Sequence, residues 1–232
     1  MSESSTNQPD QNKSPDPLLI SFLHLRRAIG VLGVALPILM VAGVFILTDC
    51  NAIQPTISDY YFTKLGYVFV GTLCAVALFL YCYKGYDNDW IASKLACFFA
   101  LGVAFFPTYG PKISAGCNFL NRNSTVTISR MHDIFATSLF LTLAYFCLFL
   151  FIQSGGKMTP QKRKRNKIYR FCGYAIILCI ILSFVYLVII PKSLQVSLSK
   201  YTPVFIFETL ALWFFGFSWL TKGEFILKDN DK

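Results

Sequence analysis

The chain has 232 residues, 55% hydrophobic and 16% aromatic, with 14% charged against roughly 25% in an average soluble domain. Its apolar residues come in long blocks with the charges in the gaps, which excludes a disordered chain, a coiled coil, a disulfide-stapled miniprotein and an ordinary water-soluble enzyme. The formal charge of +9 does not point to nucleic acid, because its densest run, Lys162-Arg163-Lys164-Arg165, lies between two apolar blocks.

Residues 1–20 are rich in Ser, Asn, Gln, Asp and Pro and carry no apolar period, so a disordered cytoplasmic tail is expected there. A membrane helix needs about 20 mostly apolar residues. Six blocks qualify, at approximately 28–48, 64–83, 91–108, 131–153, 168–190 and 203–221. The first is too long for a signal-peptide core and is followed by five more, so it is retained as a span. The expected fold is therefore an all-α bundle of six transmembrane helices over residues 21–223, with a short cytoplasmic tail at 224–232. Pro37 should kink the first helix unless neighbours satisfy the freed carbonyl. Ala96, Ala100 and Ala104 recur every four residues on the third, a ridge of small residues for close packing.

Sidedness follows from Lys and Arg, which are retained on the cytoplasmic side. With the N-terminus inside, fifteen of them fall on inner segments and six on outer ones, which puts both termini in the cytoplasm. The basic run, extended by Lys167 and Arg170, then faces inward, where Lys162, Arg163, Lys164, Arg165, Lys167 and Arg170 are expected to contact anionic lipid. Tyr60, Tyr61, Tyr109 and Tyr201 would sit at the outer interface and Tyr81, Tyr83, Tyr86, Trp90, Tyr169 and Trp219 at the inner one.

Six cysteines, Cys74, Cys82, Cys97, Cys147, Cys172 and Cys179, lie in or beside apolar blocks as small packing residues. Cys50 and Cys117 fall in polar outer connections and can form a disulfide in an oxidising compartment. No C-x-x-C and no Cys/His zinc spacing occurs, so neither metal nor cofactor is expected. Asn123-Ser124-Thr125 matches the glycosylation sequon on the same outer side.

This topology gathers polar residues at one end. Ser58, Asp59, Tyr60 and Tyr61 precede the second helix, and His132 and Asp133 open the fourth. Glu208 follows Pro203 by five residues and lies roughly 8 Å deep from the same side. A carboxylate inside hydrocarbon is costly, which marks Glu208 as a functional candidate, although a helix-locking role is the plainer reading. Asp133 equally suits a helix first turn. Ser58, His132 and Asp133 have the residue types of a nucleophilic triad, but adjacent His and Asp side chains on a helix point about 100° apart. The seven residues Ser58, Asp59, Tyr60, Tyr61, His132, Asp133 and Glu208 are the candidate ligand-binding set.

Several motifs are familiar together. Ile57-Ser58-Asp59-Tyr60-Tyr61 followed by Phe69-Val70-Gly71, Lys84-Gly85-Tyr86-Asp87, Phe106-Pro107-Thr108, His132, Lys162 through Asn166 with Tyr169-Arg170, and Glu208 with Phe215 through Trp219 and Lys222-Gly223 run in order over residues 25–223. In that order the chain resembles a family of bacterial multi-pass integral membrane proteins defined by a domain of unknown function. The resemblance implies a helical membrane fold and a bacterial cytoplasmic membrane, and it carries no activity. The function expected is a membrane protein holding a lipid head group or small cation in an outward-facing polar pocket. An integral lipid hydrolase, a small proton-coupled transporter and a scaffold subunit are the alternatives, and the incomplete catalytic set leans away from an enzyme.

Overall fold

The computed structural model describes residues 17–83, 85, 89–109, 117, 124–154 and 158–227, and every regular element among them is helical. Seven α-helices follow in order among these residues: α1 Pro17–Leu47, α2 Gly66–Cys82, α3 Asp89–Phe105, α4 Val126–Tyr145, α5 Pro160–Phe184, α6 Lys192–Leu198 and α7 Pro203–Lys222. α4 and α5 each finish in a wider π-turn, closed by Phe151 N–H on the Phe146 carbonyl (2.9 Å) and Ile190 N–H on the Val185 carbonyl (3.0 Å).

Four stretches are long and apolar enough to cross a membrane: Phe22–Leu47, Val126–Leu150, Pro160–Ile189 and Pro203–Lys222. The apolar α2 has 17 residues, about 25 Å at 1.5 Å each. The outer surface supports the same conclusion. Phe171, Tyr174, Leu178, Ile181 and Val188 on α5 and its π-turn all stand exposed, as do Val31, Ile38 and Phe45 on α1. An apolar stripe of that length would drive aggregation in water and suits a lipid-facing belt.

Adjacent helices touch in the order α1, α2, α3, α4, α5, α7 and back to α1, which closes a ring, and α4 also reaches α7 across it. Small residues set the spacing. A Cβ on Gly30 would stand 2.9 Å from the Gly216 carbonyl oxygen, and one on Gly216 would stand 2.7 Å from the Gly30 oxygen, so α1 and α7 meet backbone to backbone. Ala96, Ala100 and Ala104 are buried along α3, where Gly102 makes room for the Phe135 ring of α4. α1 runs on through Pro37, and Trp213 Nε1 donates to the Val34 carbonyl (3.2 Å) in the turn that Pro37 loosens.

Several boundaries differ from the sequence reading. Residues 17–20, expected in the tail, open α1, which begins eleven residues before the apolar block at 28. α5 starts at Pro160 rather than 168, so the basic run is helical. The Thr159 hydroxyl accepts the Lys162 N–H (3.1 Å) as the cap, and Pro160 follows in the first turn, where its missing N–H costs nothing. Hydropathy marks the part of a helix that lipid covers, not where the helix begins. Residues 1–16, Lys84, Tyr86, Asp87, Lys112, Arg122, Asn123 of the sequon, Lys157 and 228–232 lie outside the described residues.

Candidate functional site

The connection from α1 to α2 forms the site's roof. Its residues Ser58–Phe62 make one 3-10 turn whose five side chains are all buried. Irregular backbone at this depth is tolerated only where protein satisfies its polar groups. Here Pro55 accepts the Phe205 N–H of α7 (3.1 Å), and the Ile57 N–H donates to Glu208 Oε2 (2.7 Å). Glu208 therefore pins the plug to α7. Thr63 closes the turn, its hydroxyl donating to the Tyr60 carbonyl (2.8 Å) and accepting the Leu65 N–H (3.1 Å). The Cys50 and Cys117 sulfurs are bonded, tying the plug's start to the α3–α4 connection.

Beneath the plug lies a cavity of about 370 Å³ between α4, α5 and α7. Ser58, His132, Asp133 and Glu208 line it with Thr56 and Thr108, while Ala136, Phe140, Ile180, Phe207 and Ala211 form its apolar walls. Leu187 and Val188, 50% and 64% exposed, stand at its rim, so the mouth opens beside the lipid-facing surface of α5. A smaller void of about 40 Å³ continues from Ser58 and Glu208 toward Leu36, Leu73 and Leu139 at the middle of the ring.

His132 is buried, and its Nδ1 lies 2.6 Å from the Phe106 carbonyl oxygen. A carbonyl only accepts, so Nδ1 carries a proton and the neutral ring keeps Nε2 as an acceptor. Asp133, one residue on, is exposed at the cavity wall. No hydrogen bond joins Ser58 to His132 among the described residues, so the triad types do not assemble as a relay. Nor do three His, Cys, Asp or Glu side chains gather there as a metal-ligand set.

Asp59 sits behind this wall. Its Oδ1 accepts the Thr108 hydroxyl (3.0 Å), and its N–H donates to Thr56 Oγ1 (3.0 Å). Burial pushes its carboxyl up to about 6, against the lowering effect of these hydrogen bonds, with Asp133 adding a small push in the same direction as burial. Tyr60 and Tyr61 depart from the expected pocket. Tyr60 is fully buried against Phe205, its ring centroid 6.1 Å away, and its hydroxyl meets the Gln54 N–H (3.5 Å). Burial raises its phenol to about 12. Tyr61 packs edge-on to Phe62. Both stiffen the plug and neither lines the cavity.

The expected aromatic belts divide similarly. Tyr81, Trp90, Tyr109 and Tyr201 are exposed, whereas Tyr83, Tyr169 and Trp219 are core residues. The helical period splits the basic run too: Arg163, Lys164, Lys167 and Arg170 point outward, while Arg165 is buried and Lys162 half-buried. Sequence reasoning missed Thr56 and Thr108. Thr108 carried a signal, since Phe106-Pro107-Thr108 is one of the family-like motifs; Thr56 carried none. Comparison with known proteins finds no matching family model, no matching curated protein and no matching solved structure.

Proposed function

We propose that this is a six-span membrane protein with both termini in the cytoplasm, and that its outer cavity binds an amphiphile with an amine-bearing head group. The observation that carries this reading is the composition of one cavity: carboxylates and an imidazole at the plug end, aliphatic and aromatic walls elsewhere, and a mouth beside a lipid-facing helix. Ligand sites usually combine apolar walls with a few convergent polar groups in this way. Glu208 Oε2 is committed to the plug, and Oε1 makes no hydrogen bond among the described residues, so it is available to an ammonium group. Asp133 adds a second negative charge at the wall, and His132 Nε2 supplies an acceptor. The six spans and the sidedness rest on the apolar blocks and on the Lys/Arg asymmetry. In that orientation Arg163, Lys164, Lys167 and Arg170 lie against anionic head groups of the inner leaflet. The likeness to bacterial integral membrane proteins places the chain in the cytoplasmic membrane.

The test is lipid binding to the purified chain in nanodiscs of phosphatidylcholine, doped with phosphatidylethanolamine or phosphatidylglycerol. Phosphatidylethanolamine is expected to give a saturable rise in Tm and a retained lipid adduct in native mass spectrometry. Glu208→Gln combined with His132→Ala should weaken that response at least fivefold. An equal response to both lipids, or one that the double variant leaves intact, overturns the reading.

A further inference from the structure

The opposite end of the bundle holds a second cavity, of about 380 Å³, and its lining is mostly charged. Arg26 from α1, Lys162 and Arg165 from α5 and Lys222 from α7 converge on it, with Glu224 as its lining carboxylate. Lys222 and Glu208 are on the same helix about 21 Å apart along its axis, so the two cavities are separate. Asp89 is buried near this wall, beside Gly85. Even with Asp89 counted, the described residues leave the cavity positively charged.

The cations are held in place by rings. Arg26 Cζ lies 5.5 Å from the Tyr83 centroid, Lys162 Nζ 5.9 Å from Tyr169 and Lys222 Nζ 5.5 Å from Phe151. These rings belong to one buried cluster around Trp219, with Tyr83 at 4.9 Å and Phe151 at 5.1 Å from it, and Phe151 at 5.4 Å from Tyr169. Lys162 Nζ also donates to the Phe151 carbonyl (2.8 Å). A rigid aromatic floor thus presents charged heads from three helices to one space. Like charges so gathered repel, more strongly where water is thin, and an anion among them reverses the sign of that energy.

The end of α7 adds a separate observation. Phe225 N–H bonds the Leu220 carbonyl (3.0 Å) and Glu224 N–H the Thr221 carbonyl (3.3 Å), the Schellman pattern, with Glu224 at the left-handed position (φ 55°). Glycine is the favoured residue there, and a glutamate is strained. The glutamate that occupies it puts Oε1 3.9 Å from Arg165 Nη1, inside the basic cavity.

We infer that this cavity binds a phosphate-bearing anion through Arg26, Lys162, Arg165 and Lys222, with Glu224 acting as the internal anion that competes for Arg165. Phosphate suits the set because guanidinium forks bind its oxygens two at a time and ammonium groups complete the charge. A free phosphate compound and a phospholipid head group share this chemistry, and the two sources separate experimentally. The full chain in phosphatidylcholine nanodiscs is titrated with inorganic phosphate in one arm and doped with phosphatidic acid in the other, with Tm and native mass as readouts.

A saturable rise in Tm is expected in at least one arm. Arg165→Gln or Lys222→Met should weaken the apparent affinity at least tenfold, and Glu224→Gln should tighten it severalfold. Lys94→Gln removes an exposed cation elsewhere and should leave it unchanged. Response to inorganic phosphate assigns a soluble ligand; response to phosphatidic acid alone assigns a head group. The inference fails if neither arm saturates, if Lys94→Gln weakens binding as much as Lys222→Met does, or if Glu224→Gln weakens binding. The Glu224 arm keeps the test decisive even if Arg165→Gln does not fold.

Discussion

Asp59 shows how one buried carboxyl sets a pH dependence. Its folded-state value of about 6 lies above its ordinary 3.8 because burial disfavours the charge. Between those two values the folded chain holds the proton and the unfolded chain releases it. Stability therefore falls as pH rises from about 4 to about 6 and then levels off. At 1.36 kcal/mol per pH unit the whole effect is at most about 3 kcal/mol. Asp59→Asn keeps an acceptor for the Thr108 hydroxyl and removes the charge. Thermal unfolding in detergent should show the variant more stable than wild type at pH 7.5, with the two converging near pH 4. A constant difference across that range would show that Asp59 does not titrate in the fold. The candidacy of Asp59 was legible in the sequence, because an acid among Ser and Tyr before a span has few bland roles. Its partner was not. Thr108 is 49 positions away, and only the α1–α2 plug brings the two together. Tyr60 and Tyr61 were misread because a tyrosine next to a span suits the interface or the core equally, and the burial of the 3-10 turn decides between them.

At the scale of the helix, glycine reports where backbones meet. Gly30 and Gly216 let α1 and α7 approach with a carbonyl of one under the Cα of the other, as small residues do in membrane bundles. Gly71 on α2 has open space around it. Glycine in a helix interior costs about 0.5–1 kcal/mol relative to alanine. Gly71→Ala should therefore stabilise by an amount of that order, while Gly216→Ala should destabilise by about 1–3 kcal/mol through forced separation of the two helices. Unfolding of the two variants in a common detergent checks both signs, and a gain at both positions would mean that α1 and α7 are not in contact. Helix number and order were legible because apolar blocks of span length leave few alternatives. Helix starts were not, since α1 and α5 continue beyond the apolar segment into polar sequence. The Thr159-Pro160 cap was present as a signal and was hidden by the charges that follow it. The same charges read as one surface patch in sequence, yet a 3.6-residue period turns Lys162 and Arg165 inward and sends Arg163, Lys164, Lys167 and Arg170 out.

For the molecule as a whole, two independent observations bear on the proposed sidedness. One is the excess of Lys and Arg at the end that carries the basic cavity. The other is the Cys50–Cys117 bond at the end that carries Glu208. Disulfides persist in oxidising compartments and are rare in the cytosol, so the bond places the Glu208 end outside by chemistry that owes nothing to charge counting. The bond also has a mechanical role. It joins the start of the plug to the α3–α4 connection, across 67 residues of chain. A free loop of that length would give about 4 kcal/mol of stabilisation by chain entropy. The gain here should be smaller, because α2 and α3 remain inserted in lipid and shorten the effective loop. Cys50→Ser with Cys117→Ser should then lower Tm and loosen the roof of the outer cavity before the bundle itself comes apart. In membranes from cells exporting the chain normally, exhaustive alkylation with a mass-tagged maleimide under denaturing conditions should label six cysteines before reduction and eight after it. A fluorescent reporter fused after Lys232, of a kind that matures only in the cytoplasm, should be bright. Eight labels without reduction, or a dark reporter at normal expression, would turn the molecule over and put the acidic cavity on the cytoplasmic side, where neither the charge asymmetry nor the disulfide belongs.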